Sequence, residues 1–284
     1  MKRRLSVTNH DRDVAGFTYV YPVVSRRAGG VSIGVNLNPN NACNWRCAYC
    51  QVPNLVRGAA PPIELSLLVR ELGELLSLAQ DPGWLTANAP EGFRRVVDVA
   101  VSGNGEPTTC SNLDEVLGAV LETLRSHGPP GPLAKVIISN GSMVDRPVVR
   151  RALTRWNDAD GEVWFKVDAG TEATREKLNG TSQSDVRSRK LLTLCSALIR
   201  TRIQTCVVAW DGAPPPASER AAYIDFLARA IAEGAKIHDI LLYGIARESH
   251  QPEASRIDHP GEAWLQEYGE QIEAALARTV HVRA

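Results

Sequence analysis

The chain has 284 residues, of which 44% are hydrophobic, so it is long enough to build one large barrel or two small domains. Its 32 Lys and Arg residues balance 32 Asp and Glu residues, and a net charge of zero argues against wholesale nucleic-acid binding. We expect a cytoplasmic protein without a membrane partner. No segment approaches the roughly 18 apolar residues of a membrane span. No apolar signal segment follows the basic residues 1–4. The six cysteines are not spaced like a secreted disulfide framework.

Apolar, strand-like segments alternate with segments of helical periodicity along the chain, which predicts an α/β fold with a parallel sheet. The predicted strands cover residues 31–37, 96–101, 134–139, 163–168, 203–209 and 237–245, and a short edge strand covers residues 279–282. The predicted helices cover residues 64–80, 113–125, 147–156, 185–200, 218–233 and 261–277. Residues 213–216 contain three consecutive prolines and predict a stiff loop rather than a linker between domains.

A C-x3-C-x2-C run, formed by Cys43, Cys47 and Cys50, follows the first predicted strand. Three thiolates this close on one loop can each bind one iron of a 4Fe–4S cluster, which is usually held by four cysteines. The next cysteine in the chain is Cys110, so one iron is left open for a ligand that the protein does not supply. An open iron favours chemistry over a purely structural or electron-relay role.

The competing interpretation of the three cysteines is a zinc site in a binding protein without turnover. Zinc takes four tetrahedral ligands, and structural zinc sites usually pair two short Cys or His hooks. His10, Cys110 or His127 would have to complete the site, and none of them forms a second hook.

Polar residues follow the second predicted strand, in the segment Ser102-Gly103-Asn104-Gly105-Glu106-Pro107-Thr108. Glycines here allow the backbone to approach a ligand closely. A backbone carbonyl or the Glu106 carboxylate is suited to accept hydrogen bonds from an ammonium group. A simple turn between strand and helix is the alternative, because Gly, Asn and Pro are ordinary turn residues.

The third and fourth predicted strands also end in polar residues. Ser139 is the last residue of the third strand and Asn140 follows it; both are suited to ribose or carboxylate recognition, with a capped turn as the alternative. Trp164, Lys166 and Asp168 alternate along the fourth strand and are expected on one face. Lys166 and Asp168 are interpreted either as ligand contacts or as a mutual structural ion pair.

Together, these segments resemble the radical S-adenosylmethionine (SAM) superfamily. The cysteine run matches in spacing, Tyr49 matches the aromatic residue before the third cysteine, and Gly105-Glu106-Pro107 matches the "GGEP" segment except that Asn104 replaces its first glycine. The resemblance implies a partial (βα)6 TIM-like barrel of the radical SAM type. It implies a single domain of residues 1–284, with an N-terminal extension of residues 1–30, a barrel core of residues 31–245, and a C-terminal helix and short strand in residues 246–284.

The resemblance also implies the chemistry. The open iron would chelate the amino and carboxylate groups of SAM, and a reductant such as flavodoxin or ferredoxin would supply the electron that cleaves SAM to a 5′-deoxyadenosyl radical. That radical would abstract hydrogen from a substrate. The implied metal ligands are Cys43, Cys47 and Cys50. The implied SAM-binding residues are Tyr49, Gly103, Asn104, Gly105, Glu106, Ser139, Asn140, Lys166 and Asp168. Gln204, Thr205 and Tyr243 are further candidates for the wall of the pocket.

Within the superfamily, residues 31–247 resemble stand-alone proteins similar to the wyosine tRNA-base (imidazoguanosine) synthases. One departure is that no cysteine precedes Cys43, whereas those synthases carry extra cysteines there for a second cluster used with pyruvate. The resemblance to these synthases implies an RNA base as one substrate, and the net charge of +4 in residues 1–30 supports this. A peptide or small molecule is the alternative, favoured by the missing second cluster and the neutral chain.

Overall fold

The computed structural model describes residues 4–6, 15–25, 28–128 and 131–283. Among these residues, eight strands form one sheet whose strand order follows the chain. The strands are β1 (Val20–Ser25), β2 (Gly30–Val35), β3 (Val96–Val101), β4 (Ala134–Ser139), β5 (Gly161–Lys166), β6 (Arg200–Val207), β7 (Ile237–Gly244) and β8 (Val280–Arg283). β1 pairs antiparallel with β2, and every other neighbouring pair is parallel. The sheet is an open half-barrel with a cavity on its inner face.

Helices cross over between the parallel strands and cover the outer face of the sheet. They are α1 (Leu65–Ala79), α2 (Pro82–Asn88), α3 (Leu113–His127), α4 (Pro147–Asp158), α5 (Glu172–Asn179), α6 (Asp185–Leu198), α7 (Ala217–Ala232) and α8 (Glu262–Leu276). Among the residues that the structure describes, no helix is both long and apolar enough to cross a bilayer.

The two faces of the strands differ in composition, as the period of two in a strand requires. Outward-facing residues such as Ile33, Val99 and Ile137 are fully buried against the helices, where they meet residues such as Leu72 and Leu117. Burying one such side chain stabilises the fold by about 1.5–3 kcal/mol. The inward-facing residues combine polar side chains such as Lys166 with a small apolar cluster around Trp164, so the main hydrophobic core lies outside the barrel and the cavity lies inside it.

The predicted α/β fold with a parallel sheet is confirmed, and each of the predicted strands and helices is present with small differences at its ends. The fourth predicted strand ends at Lys166, so Asp168 lies beyond it rather than on its inner face. Strand β1 was not predicted. Pro22 lies in its middle, and a proline is tolerated in a strand only at an edge or a bulge. β1 meets this condition because it is the edge strand of the sheet.

Helix α5 is not among the helices that the sequence predicted. The Thr171 hydroxyl caps the helix by accepting the N–H of Thr174 at 3.1 Å. Glu219 of α7 fixes this start, because its carboxylate accepts hydrogen bonds from the Gly170 N–H at 2.6 Å and from the Thr174 hydroxyl at 2.7 Å. The helix is therefore held firmly against α7, and its other end reaches the cysteine run.

Candidate active site

Cys43, Cys47 and Cys50 lie on the loop that leaves β2 and leads to α1. They are partly exposed thiols, and all three line the same cavity, of about 310 Å³, on the inner face of the half-barrel. In a parallel barrel the carboxyl ends of the strands lie at one rim, where active sites collect. The cysteine run is therefore placed where the sequence predicted it.

The cysteine loop is held from two sides. On one side, the N–H groups of Arg46 and Ala48 donate to the last carbonyls of α5, at 3.0 and 2.8 Å. On the other side, the Ser249 hydroxyl donates to the Ala48 carbonyl at 2.7 Å and the His250 N–H donates to the Cys50 carbonyl at 2.9 Å. Both supports are distant in sequence, and neither was predicted.

Two of the thiols receive N–H hydrogen bonds. Cys43 Sγ accepts one from the Trp45 backbone at 3.4 Å, and Cys47 Sγ accepts one from Asn179 Nδ2 at 3.4 Å. Burial nevertheless raises the pKa of Cys43 to about 11 and the pKa of Cys47 to about 12. Both sulfurs are therefore neutral thiols near pH 7, and metal binding has to displace their protons.

Within the described part of the chain, no three His, Cys, Asp or Glu side chains are gathered as ligands of a single metal ion. The two described residues considered for a fourth zinc ligand lie elsewhere: Cys110 is buried and donates to Asn112 at 3.2 Å, and the His127 ring contacts the Thr123 carbonyl at 3.0 Å. His10 lies outside the described residues. A cubane cluster places each cysteine on a different iron, so it does not require the three sulfurs to meet at one point.

Glu106 lines the cavity although it is only 3% exposed, and its carboxylate accepts four hydrogen bonds. Three come to Oε1, from the Thr108 N–H at 3.1 Å, the Thr108 hydroxyl at 2.5 Å and the Ser139 hydroxyl at 2.7 Å. The fourth comes to Oε2 from the Asn140 N–H at 2.7 Å. Burial raises the pKa of Glu106, while these hydrogen bonds oppose the rise. The side chain therefore joins two site loops, the one after β3 and the one after β4.

The glycines after β3 fit closely against protein. A Cβ at Gly105 would lie 2.0 Å from the Ala42 carbonyl oxygen, and a Cβ at Gly103 would lie 2.2 Å from Asn36 Oδ1. Asn104 between them donates from its side chain to Asn41 at 2.6 Å. The segment after β3 and the start of the cysteine loop are thus packed together. Gly103, Asn104 and Gly105 all line the cavity.

After β4, Asn140 lines the cavity and Ser139 lies behind it. Asn140 Nδ2 donates to Asn44 Oδ1 at 2.9 Å, and Asn44 Nδ2 donates to the Ser142 hydroxyl at 2.7 Å. Asn44 lies next to Cys43, so this amide pair ties the loop after β4 to the cysteine run.

Lys166, Tyr49 and Asp168 form one buried cluster. Lys166 Nζ donates to the Tyr49 hydroxyl at 2.6 Å and lies 3.4 Å from Asp168 Oδ2, while the Tyr49 hydroxyl donates to the same Asp168 oxygen. The Asp168 side chain is fully buried and the Lys166 side chain is 16% exposed. Burial lowers the pKa of Lys166, but the electrostatic interactions with its neighbours, of which Asp168 contributes the most, together outweigh burial and hold that pKa above its ordinary value. The ammonium is therefore charged and borders the cavity, whereas Asp168 does not line it.

Of the further wall candidates, Gln204 and Tyr243 line the cavity and Thr205 does not. The Thr205 hydroxyl instead donates to the Val167 carbonyl at 2.8 Å. Gln204 is 2% exposed, and its Oε1 has no hydrogen-bond partner among the described residues. A buried acceptor of this kind, on the wall of a cavity, is suited to bind an N–H group of a ligand.

No protein-family model matches the chain, and no curated protein matches it. Solved structures do match. A structure of TYW1 with a lysine-pyruvate adduct bound aligns with a TM-score of 0.55 and 14% identity, over 96% of this chain and 80% of that one. A radical SAM methyltransferase from Sphaerobacter thermophilus aligns with a TM-score of 0.59 and 14% identity, over 93% and 68%. Native anSMEcpe with bound AdoMet aligns with a TM-score of 0.51 and 14% identity, over 88% and 63%. The chain has the partial-barrel fold of these proteins.

Proposed function

We propose that this chain is a radical SAM enzyme in which Cys43, Cys47 and Cys50 hold one 4Fe–4S cluster and the barrel cavity binds SAM. The observation that carries the proposal is the placement of three thiols on one cavity, at the carboxyl rim of a fold that radical SAM enzymes share. The position of the run on this fold supports the proposal independently of its spacing, because the spacing alone does not place three thiols on one cavity.

The donor set fits such a cluster. Three thiolates bind three irons and leave the fourth for SAM, and the cavity beside them holds charged and amide groups suited to its ammonium and carboxylate. When bound and reduced, the cluster supplies the electron that cleaves SAM to a 5′-deoxyadenosyl radical. We infer a flavodoxin- or ferredoxin-type protein as the source of that electron.

The side chains of this chain have the task of binding and orienting SAM. Lys166 presents a charged ammonium to the cavity, which suits the SAM carboxylate. The backbone of Gly103, Asn104 and Gly105 borders the same cavity and suits the SAM ammonium. Glu106 also lines the cavity, and its four hydrogen bonds fix the segment and the Ser139-Asn140 turn in one arrangement. Tyr49 and Asp168 hold the Lys166 ammonium in place.

For the substrate, we infer an RNA base as the first class, supported by the resemblance of residues 31–247 and by the fold that the chain shares with TYW1. The absence of any cysteine before Cys43 argues against the second cluster and its pyruvate chemistry. A peptide or small molecule is the second class. Comparison of tRNA nucleosides and metabolites, from cells with and without the protein, distinguishes the two.

Anaerobic reconstitution with iron and sulfide tests the cluster directly. The proposal predicts a brown protein with about four irons and four sulfides per chain. A colourless protein that takes up zinc and no iron would contradict it and would support the zinc-stabilised binding protein instead.

A further inference from the structure

Asn179, the last residue of α5, contacts a cysteine of the proposed cluster. Its side-chain Nδ2 lies 3.4 Å from Cys47 Sγ and 2.8 Å from Asp168 Oδ2. The residue is 1% exposed, so water does not compete for either contact. One buried amide thus donates both to a cluster ligand and to the carboxylate that pairs with Lys166.

The orientation of this amide is determined by its neighbours. A reversed amide would place Oδ1 against the Asp168 carboxylate, which only accepts hydrogen bonds, and would take the N–H donor away from the Cys47 sulfur. In the orientation present, Oδ1 has no hydrogen-bond partner among the described residues. The site leaves one buried acceptor unsatisfied and uses both N–H donors, which indicates that the donors matter here.

The backbone around Asn179 fixes its position. Its carbonyl accepts the Arg46 N–H at 3.0 Å, within the cysteine loop itself. Gly180, directly after the helix, caps it in the left-handed conformation (φ 60°). Gly180 also lies close to Arg46, since a Cβ on it would be 2.7 Å from the Arg46 carbonyl oxygen. Since both the backbone and the amide of Asn179 contact the loop, the amide has little freedom to leave the sulfur.

We propose that Asn179 raises the reduction potential of the cluster by donating an N–H hydrogen bond to the Cys47 sulfur; this rests on the proposed function. Reduction adds one electron, and its negative charge is shared with the sulfur ligands. A hydrogen-bond donor at a ligand sulfur stabilises that charge, and such donors are one of the factors that set the potential of an iron–sulfur cluster. Asn179 acts through Cys47 and is a positioning residue.

Cys43 offers an internal comparison. Its N–H donor is the Trp45 backbone, which side-chain substitution leaves in place. The donor at Cys47 is a side chain and can be removed by mutation. A substitution at Asn179 therefore changes the hydrogen bonding of one sulfur while the donor at another sulfur stays.

The test is a redox titration of the reconstituted protein without SAM, monitored by the electron paramagnetic resonance signal of the reduced cluster. Asn179→Leu keeps a similar volume and removes both donors. We expect iron content close to that of the wild type and a lower midpoint potential. If Asn179→Leu folds poorly, Asn179→Ala removes the same donors without a branched side chain and should shift the potential in the same direction.

Thr174→Val is the matched control on the same helix. It removes the hydrogen bond of the Thr174 hydroxyl to Glu219, at 2.7 Å, and leaves Asn179 unchanged. We expect a lower melting temperature and an unchanged potential.

Equal potentials in the wild type and the Asn179 variants would overturn the inference. An equal shift in Thr174→Val would do so too, because the potential would then follow the position of the helix. Loss of iron from both Asn179 variants would assign the residue a purely structural role. A wild-type protein that binds no iron would overturn the proposed function itself, and with it this inference.

Discussion

The inner face of the half-barrel carries two polar regions on the same strands, and they differ in how their charges are used. The barrel floor, near the amino ends of the strands, consists of Glu162, Arg202, Asp239 and His281. The barrel mouth, near the carboxyl ends, consists of Lys166, Gln204, Tyr243 and the three cysteines of the cysteine run. Each of β5, β6 and β7 contributes one residue to the floor and another residue to the mouth.

The barrel floor is a closed network. Arg202 donates to both carboxylate oxygens of Asp239, at 2.7 and 2.6 Å, and its third nitrogen lies 3.5 Å from Glu162. His281 lies 3.0 Å from the same Asp239. The charged groups of the floor bind one another, so their role is to stabilise the folded barrel.

The barrel mouth is not closed in this way. Gln204 Oε1 lacks a hydrogen-bond partner among the described residues, and the Lys166 ammonium, although it is paired with Asp168, also borders the cavity. Similar residue types on the same strands therefore serve two purposes. Where polar groups satisfy one another they stabilise the barrel, and where they do not they are available to a ligand.

The largest expected effect is the loss of iron binding at the barrel mouth. Replacing Cys43, Cys47 and Cys50 together by Ala should abolish iron binding, because their thiolates are the proposed iron ligands. The matched control replaces Cys110 and Cys195, which are buried and do not line the cavity. Iron and sulfide analysis after reconstitution compares the two variants. Loss of most iron from the control would show that the cluster is held elsewhere.

The second prediction concerns the charge at the mouth. Lys166→Met should weaken SAM binding by about 1.5–3 kcal/mol, or roughly ten- to a hundred-fold, because a charge-assisted hydrogen bond is lost. Asp168 keeps hydrogen bonds from Asn179 and from the Cys206 N–H, both at 2.8 Å, so the protein should still fold and retain iron. Calorimetric titration of SAM and melting curves measure both effects. Normal SAM binding with poor folding would make Lys166 a structural partner of Asp168 alone.

The third prediction concerns the floor and separates stability from binding. Asp239→Asn replaces an acceptor oxygen by an amide that faces the Arg202 donors. It should lower the free energy of unfolding by about 1–3 kcal/mol, since Arg202 is 22% exposed and keeps Glu162 as a partner. Iron content and SAM affinity should equal those of the wild type. A large loss of SAM affinity would remove the distinction between floor and mouth.

The smallest expected effect is a gain in stability rather than a loss. Gln204→Leu removes a buried acceptor that has no hydrogen-bond partner in the described part of the chain, so the ligand-free protein should become more stable, by about 1 kcal/mol. Urea unfolding measures this change. Titration of SAM into the same variant shows whether SAM or the substrate uses the Gln204 oxygen. A destabilised variant would mean that the oxygen already has a partner in the folded protein.

The sequence predicted the parallel sheet, the helices that cover it and the polar residues at the ends of its strands, because these follow from local periodicity and turn residues. Gln204, Thr205 and Tyr243 were predicted as candidates for the pocket wall, and Thr205 does not line it, because neighbouring residues of a strand face opposite sides of the sheet. The edge strand β1 was missed because Pro22 interrupts its pattern.

What the sequence did not predict depends on contacts between distant residues. Asn179 lies 132 positions from Cys47, and Ser249 lies 201 positions from Ala48. An isolated Asn at the end of a helix carries no local signal of a sulfur nearby. Glu106 shows the same limit, because two of its four donors come from the loop after the next strand.

The most direct test of the catalytic role of the barrel mouth is product analysis after reduction of the reconstituted enzyme with SAM. We predict slow formation of 5′-deoxyadenosine and methionine even without substrate, and no such formation by the Cys43, Cys47 and Cys50 triple variant. Methylthioadenosine as the sole product, or no cleavage under strong reduction, would contradict the account.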